Sequence, residues 1–209
     1  MKREHPILDI YYDNPNEASD MYLKYLKKDC EKNGIEVRMF SDITEWCQTE
    51  SGDGELFLEP TKYCNDWIKD NPVNVDRDSA TATGIYNYIT ENFSGRSNII
   101  AVIGRGLVGK QLINKLIDYG YTVVEFNSKS FKGDMEYLCA DYANVVVGLA
   151  TEQVFDEDGC NIINDFNNTV LIDSGNNFAT KNKLTCGKWT RQVIIDRVLE
   201  NYKKGLKDG

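Results

Sequence analysis

Histidine is almost absent from this chain: His5, close to the N-terminus, is the only one among 209 residues. That argues against a His-dependent nucleophilic triad and against a His-rich metal centre. The six cysteines, Cys30, Cys47, Cys64, Cys139, Cys160 and Cys186, lie far apart with no C-x-x-C pair among them. Neither a zinc knuckle nor a redox couple is indicated, and reduced, mostly buried thiols are expected. Positive charge is also in short supply. A formal net charge of −9 runs against a nucleic-acid partner, whose phosphates demand a basic stripe. The Lys27-Lys28 and Lys203-Lys204 pairs read as solvated helix faces. No apolar run approaches the roughly 20 residues of a membrane span. Asp9 and Asp13 interrupt the segment after the charged start Met1-Lys2-Arg3-Glu4, so no signal peptide and a cytoplasmic protein are expected. Asp156-Glu157-Asp158-Gly159 places its glycine too early for a calcium loop and reads as a surface turn, so no metal site is expected.

The chain has apolar residues enough for a real core, at 41% of the sequence. Its first part alternates strand and helix. Ile7 to Tyr12 reads as a strand, residues 16–33 as a helix broken by Gly34, and Ile35 to Phe40 as a second strand, together a βαβ unit. Glu45 to Asp53 reads as a polar loop, Leu56-Phe57-Leu58 as a third short strand ended by Pro60, and Thr61 to Lys69 as a helical turn or two. Pro72 to Asp78 reads as irregular, and Ala80 to Phe93 as a helix linking two lobes. From residue 98 onward the alternation is regular, with strands near 99–103, 121–126, 143–149 and 169–173. Their nearly continuous apolar character, as in Val145-Val146-Val147 and Val170-Leu171-Ile172, fits a parallel sheet covered on both faces. A last helix, Thr190 to Lys204, can pack back on either lobe.

One segment carries chemistry. Ile99-Ile100-Ala101-Val102-Ile103 runs into Gly104-Arg105-Gly106-Leu107-Val108-Gly109, a buried strand followed by G-x-G-x-x-G, with Val108, Leu112, Leu116 and Ile117 then recurring at helical spacing. Gly104 permits the tight turn, Gly106 lets backbone approach a pyrophosphate, and Gly109 lets helix and strand pack closely. The phosphates would lie on free N–H groups at a helix N-terminus, which carries roughly half a positive charge. The reading is a Rossmann-type dinucleotide site over residues 104–109. A dinucleotide site preferring NAD holds the ribose hydroxyls with an acid about 20 residues past the glycines. Glu125 lies at that distance, followed by Phe126-Asn127-Ser128-Lys129.

Several segments, in order, resemble the methylenetetrahydrofolate dehydrogenase/cyclohydrolase family. Ser19-Asp20-Met21-Tyr22-Leu23-Lys24-Tyr25-Leu26 is similar to its S-x-x-Y-V-x-x-K helix, which ends near a glycine, here at Gly34. Ser79-Ala80-Thr81-Ala82-Thr83-Gly84 keeps the threonine and glycine of P-C-T-P-x-G. Val102 to Lys110 resembles V-I-G-R-S-x-x-V-G-K-P, shortened by one residue, and Thr122 to Ser130 resembles T-V-T-x-C-H-S-K-T. Val147-Gly148-Leu149-Ala150-Thr151 looks like the next strand end, and Leu171 to Asn177 resembles V-I-D-V-G-I-N. Gly187-Lys188-Trp189-Thr190 and Leu199-Glu200-Asn201 echo G-P-M-T and L-E-N. The likeness spans most of the chain and is most specific from Val102 to Ser130.

The resemblance implies an α/β protein with a small N-terminal αβ substrate lobe and a Rossmann-type parallel-sheet nucleotide lobe. The expected division is 1–93 for the folate-like lobe with its linking helix, 94–189 for the NAD(P) lobe, and 190–209 for a helix packing back. It implies hydride transfer from a folate-like small molecule to NADP, with NAD as the alternative, in a homodimer. Tyr22 would be the catalytic and substrate-orienting residue, and Asp76 a pterin-binding carboxylate. Thr81, Gly104, Arg105, Gly106, Leu107, Val108, Gly109, Ser128, Lys129, Thr151 and Gly175 would line the cofactor. Arg105, Ser128 and Lys129 together fit a 2′-phosphate.

The departures concern proton chemistry. The family's cyclohydrolase lysine falls at Leu26, one helical turn after Tyr22, and its glutamine falls at Leu58. An apolar side chain relays no proton. Lys27 sits about 100° further round the helix, and Glu59 is next to Leu58, so either would need a register shift to substitute. Loss of cyclohydrolase activity is expected. Two other readings stand beside the dehydrogenase: a non-catalytic nucleotide-binding relative, and an oxidoreductase acting on another small substrate.

Overall fold

The computed structural model describes residues 4–12, 17–58, 71–95, 97–127 and 135–208. The expected helical turns over residues 61–69, and Glu59, Ser128 and Lys129, lie outside them. The chain divides into two compact units, residues 1–80 with 191–209, and residues 81–190.

The first unit is built on three parallel strands, β1 (Ile7–Tyr12), β2 (Glu36–Phe40) and β3 (Gly54–Leu58), in the order β2-β1-β3. Side chains alternate across a strand. Leu8 and Ile10 of β1 therefore join Leu56 and Leu58 of β3 in one buried cluster, while Tyr11, Phe57 and Phe40 gather on the other face. Helix α1 (Glu17–Lys32) covers the first face with Leu23, Leu26 and Cys30, spaced by three and four residues, and leaves Lys24, Lys27 and Lys28 exposed. Gly34, at φ +71°, turns the chain into β2. Ile194, Ile195 and Val198, late in the chain, complete this core.

Residues 45–53, expected as a loop, begin inside a helix instead, α2 (Ile43–Gln48). Asp42 caps it by accepting from the Thr44 N–H at 2.7 Å, and buried Trp46 pins it edge-on against Phe57 at 4.6 Å between ring centres. Polarity hid this helix, because a single buried side chain anchors it. Beneath it lies a charged row in register across the sheet: Arg38, Asp9 and Glu55 are direct neighbours. Arg38 holds buried Asp9 with two hydrogen bonds, of 2.6 and 2.8 Å.

The second unit carries five parallel strands, β4 (Ile99–Ile103), β5 (Thr122–Phe126), β6 (Val145–Gly148), β7 (Val170–Asp173) and β8 (Leu184–Thr185), in the order β5-β4-β6-β7-β8. Both faces are covered, as their continuous apolar runs require. On one side Ile100, Val102, Val145, Val147 and Ile172 meet Ile85 and Ile89 of α3 (Arg77–Asn92) and Leu112, Ile113 and Leu116 of α4 (Leu107–Tyr119). On the other, Ala101, Ile103, Val146 and Leu171 meet Cys139 of α5 (Met135–Tyr142) and Ile163 of α6 (Glu157–Asn167). The segment read as a surface turn at 156–159 starts α6, with Asp156 accepting from the Gly159 N–H at 2.9 Å. The last helix, α7 (Gly187–Asp208), is longer than its apolar stripe indicated. Thr190 in its first turn bonds Thr81 of α3 through their hydroxyls at 3.2 Å. No helix among the described residues is long and apolar enough to cross a membrane.

Candidate dinucleotide site and its departures

Strand order places the candidate site. The chain leaves β4 through α4 to reach β5 on one side, then returns through α5 to β6 on the other side of β4. Such a reversal opens a crevice beyond the carboxyl ends of the two strands, where open parallel sheets bind ligands. Ile103, Gly148 and Asp173 end their strands in one register row, so the G-x-G-x-x-G turn, the segment after Gly148 and the segment after Asp173 leave the sheet at the same edge.

The three glycines of the turn differ in what demands them. Gly104 has φ +111°, and a Cβ there would lie 2.7 Å from the carbonyl carbon and oxygen of Leu149. At Gly109 a Cβ would lie 2.1 Å from the carbonyl oxygen of Gly104, so the first turn of α4 closes directly onto the strand end. Around Gly106, among the described residues other than its own chain neighbours, no heavy atom lies within 4 Å of the Cβ position. Two glycines thus make the turn and one, among the described residues, leaves open space in front of a helix N-terminus, the arrangement a pyrophosphate needs. Gly106 precedes that helix and offers no side-chain cap. Leu107 is 69% exposed beside it, and Val108 is half-buried.

Arg105 does not stand free. Its Nε lies 2.9 Å from Oε2 of Glu125 on the neighbouring strand. Thr151 is exposed in the segment after β6, and that segment is tied down by Asn177, whose buried amide donates to the carbonyls of Ala150 and Glu152 at 2.7 and 3.0 Å. The Asn177 side chain occupies the place a Cβ on Gly148 would take, 2.7 Å away. Asp173 organises the next loop: its buried carboxylate accepts from the Gly175 and Asn177 N–H groups and from Lys183 Nζ at 2.6 Å. Gly175 itself is exposed, and no other described residue crowds the place where a side chain would go. Thr81 is buried against Thr190 in the same unit. The hook from Asn177 and the Arg105–Glu125 pair were missed at the level of sequence. A glycine at a strand end and an acid near the next strand's exit were their only signals.

The first unit holds the expected substrate residues. Tyr22 is half-buried on α1, and the Arg77 guanidinium carbon lies 5.6 Å from the centre of its ring. Asp76 accepts from the Asp78 and Ser79 N–H groups, at 3.3 and 2.9 Å, so it caps α3. Burial and the neighbouring Asp76 carboxylate push the Asp78 carboxyl up from its ordinary range, with Arg77 opposing. Leu26, where the resemblance puts a lysine, is 0% exposed, and Leu58, where it puts a glutamine, is 1% exposed. Both are core residues. Among the described residues no three His, Cys, Asp or Glu side chains cluster as metal ligands would.

No protein-family model and no curated protein sequence matches this chain. Solved structures do match it closely in shape. The bifunctional 5,10-methylenetetrahydrofolate dehydrogenase/cyclohydrolase of Thermoplasma acidophilum superimposes with a TM-score of 0.68 at 17% identity, covering 98% of this chain and 91% of that one. The Trypanosoma brucei dehydrogenase-cyclohydrolase, complexed with NADP and an inhibitor, gives 0.75 at 13% identity over 96% and 88%. The NAD-dependent 5,10-methylenetetrahydrofolate dehydrogenase of Saccharomyces cerevisiae gives 0.70 at 14% identity over 97% and 88%. At such identities the likeness speaks for architecture: this chain has the two-lobed, parallel-sheet fold of the methylenetetrahydrofolate dehydrogenase/cyclohydrolase structures.

Proposed function

We propose that this chain is a nicotinamide-dinucleotide-dependent oxidoreductase of the 5,10-methylenetetrahydrofolate dehydrogenase type, without cyclohydrolase activity. The observation that carries the reading is the turn at Gly104, Gly106 and Gly109, with two positions closed to any side chain and one open among the described residues. The dinucleotide, when bound, supplies the hydride acceptor. The residues that would hold it are the N–H groups of Gly106, Leu107 and Val108 for the pyrophosphate, with Thr151 and Gly175 lining the crevice. Arg105, with Ser128 and Lys129, favours NADP, and NAD is the second candidate.

Tyr22, whose ring carries the Arg77 guanidinium against it, would orient a flat, folate-like ring, and Asp76 would contribute its carboxylate at the start of α3. Hydride transfer needs the reacting rings positioned and water excluded, which an apolar residue at position 26 or 58 does not prevent. Opening a one-carbon bridge with water needs a proton relay, and Leu26 and Leu58 offer none. The same two residues favour the second reading, a nucleotide-binding relative without this catalysis. We infer a homodimer from the resemblance, and the oligomeric state in solution checks it.

Thermal unfolding with ligands separates the readings. Protection by both a tetrahydrofolate and NADP is the expected result, since whatever binds the folded state alone raises the midpoint. Protection by the dinucleotide alone would replace the folate reading with the nucleotide-binding relative or another substrate.

A further inference from the structure

We propose that Glu125 sets how this chain divides its affinity between NADP and NAD, by holding Arg105 in an ion pair that a 2′-phosphate must displace. The inference rests on the dinucleotide reading of residues 104–109 and says which dinucleotide that site discounts. Glu125 sits next to the last residue of β5, in register with Val102 of β4, and its carboxylate oxygen lies 2.9 Å from Arg105 Nε. One corner of the crevice therefore holds both groups by which such sites distinguish the two cofactors. A guanidinium donates to a 2′-phosphate, and a carboxylate accepts from an unphosphorylated ribose diol.

Their pairing decides the balance. A 2′-phosphate brings up to about two negative charges, and it meets an arginine already neutralised and a carboxylate of like sign. The pair is exposed, 62% at Arg105 and 33% at Glu125, so it is weak and opens at small cost. It therefore discounts NADP without barring it. The ribose diol of NAD carries no charge, and it finds in Glu125 an acceptor held in place by Arg105. The chain is thereby built for narrow discrimination, in which Arg105 and Glu125 pull in opposite directions.

Equilibrium titration calorimetry of NADP+ and NAD+ into the wild-type chain, Glu125→Gln, Glu125→Ala and Arg105→Ala reads this without any turnover. In the wild type the two affinities should lie within about tenfold of one another. Both Glu125 variants should raise the NADP-to-NAD affinity ratio by about tenfold or more, through tighter NADP and weaker NAD. Arg105→Ala should lower the ratio below the wild-type value. A ratio unchanged within about twofold in both Glu125 variants, with dinucleotide still bound, overturns the inference and leaves the dinucleotide site standing. No binding of either dinucleotide to any of the four proteins overturns the site itself, and the inference with it.

Discussion

The two units of this chain differ in what fills the positions where the resemblance expects function. In the unit of residues 81–190 the candidate site is written in backbone: Gly104 and Gly109 leave no room for a Cβ, Gly148 abuts Asn177, and Asp173 collects N–H groups from its own loop. In the unit built on β1, β2 and β3 the positions where the resemblance puts a lysine and a glutamine are filled with core, Leu26 and Leu58. Backbone-built sites resist drift because each residue is fixed by a steric demand. A site made of projecting side chains can be lost one substitution at a time while the fold persists. The comparison teaches that a dinucleotide site built from backbone and a proton relay built from side chains rest on separate demands, so one can be present without the other.

The largest effect is expected of Leu26→Lys, which introduces the side-chain type the resemblance puts at this position. An ammonium forced into this core should lower unfolding stability by about 3–5 kcal/mol, the scale of an unpaired buried charge. Urea unfolding measures it. Wild-type stability would mean that position 26 is open to a site after all. Gly109→Ala probes the other unit. Its methyl would collide with the Gly104 carbonyl, and the displaced turn should weaken NADP binding by about 100-fold, read by calorimetry. Asn177→Leu releases the carbonyls of Ala150 and Glu152 and should cost about 1–3 kcal/mol of stability, together with part of the dinucleotide affinity. Loss of stability with affinity untouched would remove the Thr151 segment from the site.

The smallest effect is one of pH. Burial pushes the Glu55 carboxyl up from its ordinary range, and hydrogen bonds from Ser51 and Asn71 pull against it. The folded state therefore holds this proton more tightly than the unfolded state. Its contribution is most favourable below the ordinary glutamate value of about 4.3 and is lost as pH rises through the raised value. Glu55→Gln removes the buried charge. The variant should match or exceed the wild type at neutral pH by less than about 1 kcal/mol, and the gain should vanish as the pH falls below the ordinary range. A gain that grows on acidification would contradict this.

Much of the architecture was legible because its causes are local. Parallel strands covered on both faces need continuous apolar runs, and Val145-Val146-Val147 supplies one. A turn without room for a Cβ writes glycine into the chain, which is why residues 104–109 could be read. Less legible were features made by contacts across the fold. Asp76, just before α3, gives both oxygens to cap hydrogen bonds, a role that its irregular surroundings in the sequence did not announce. Helix α2 hid behind its polar surface, because Trp46 alone buries it. The partnership of Arg105 with Glu125 depends on β5 lying beside β4, and no spacing rule reports whether two such charges face the ligand or each other.

The most direct test of the account is formation of reduced nicotinamide from 5,10-methylenetetrahydrofolate, with NADP and with NAD each in excess, alongside hydrolysis of the methenyl product. Dinucleotide reduction with no enzymatic hydrolysis is the expected result. Hydrolysis catalysed by the same protein, or no reduction with either dinucleotide, would contradict it.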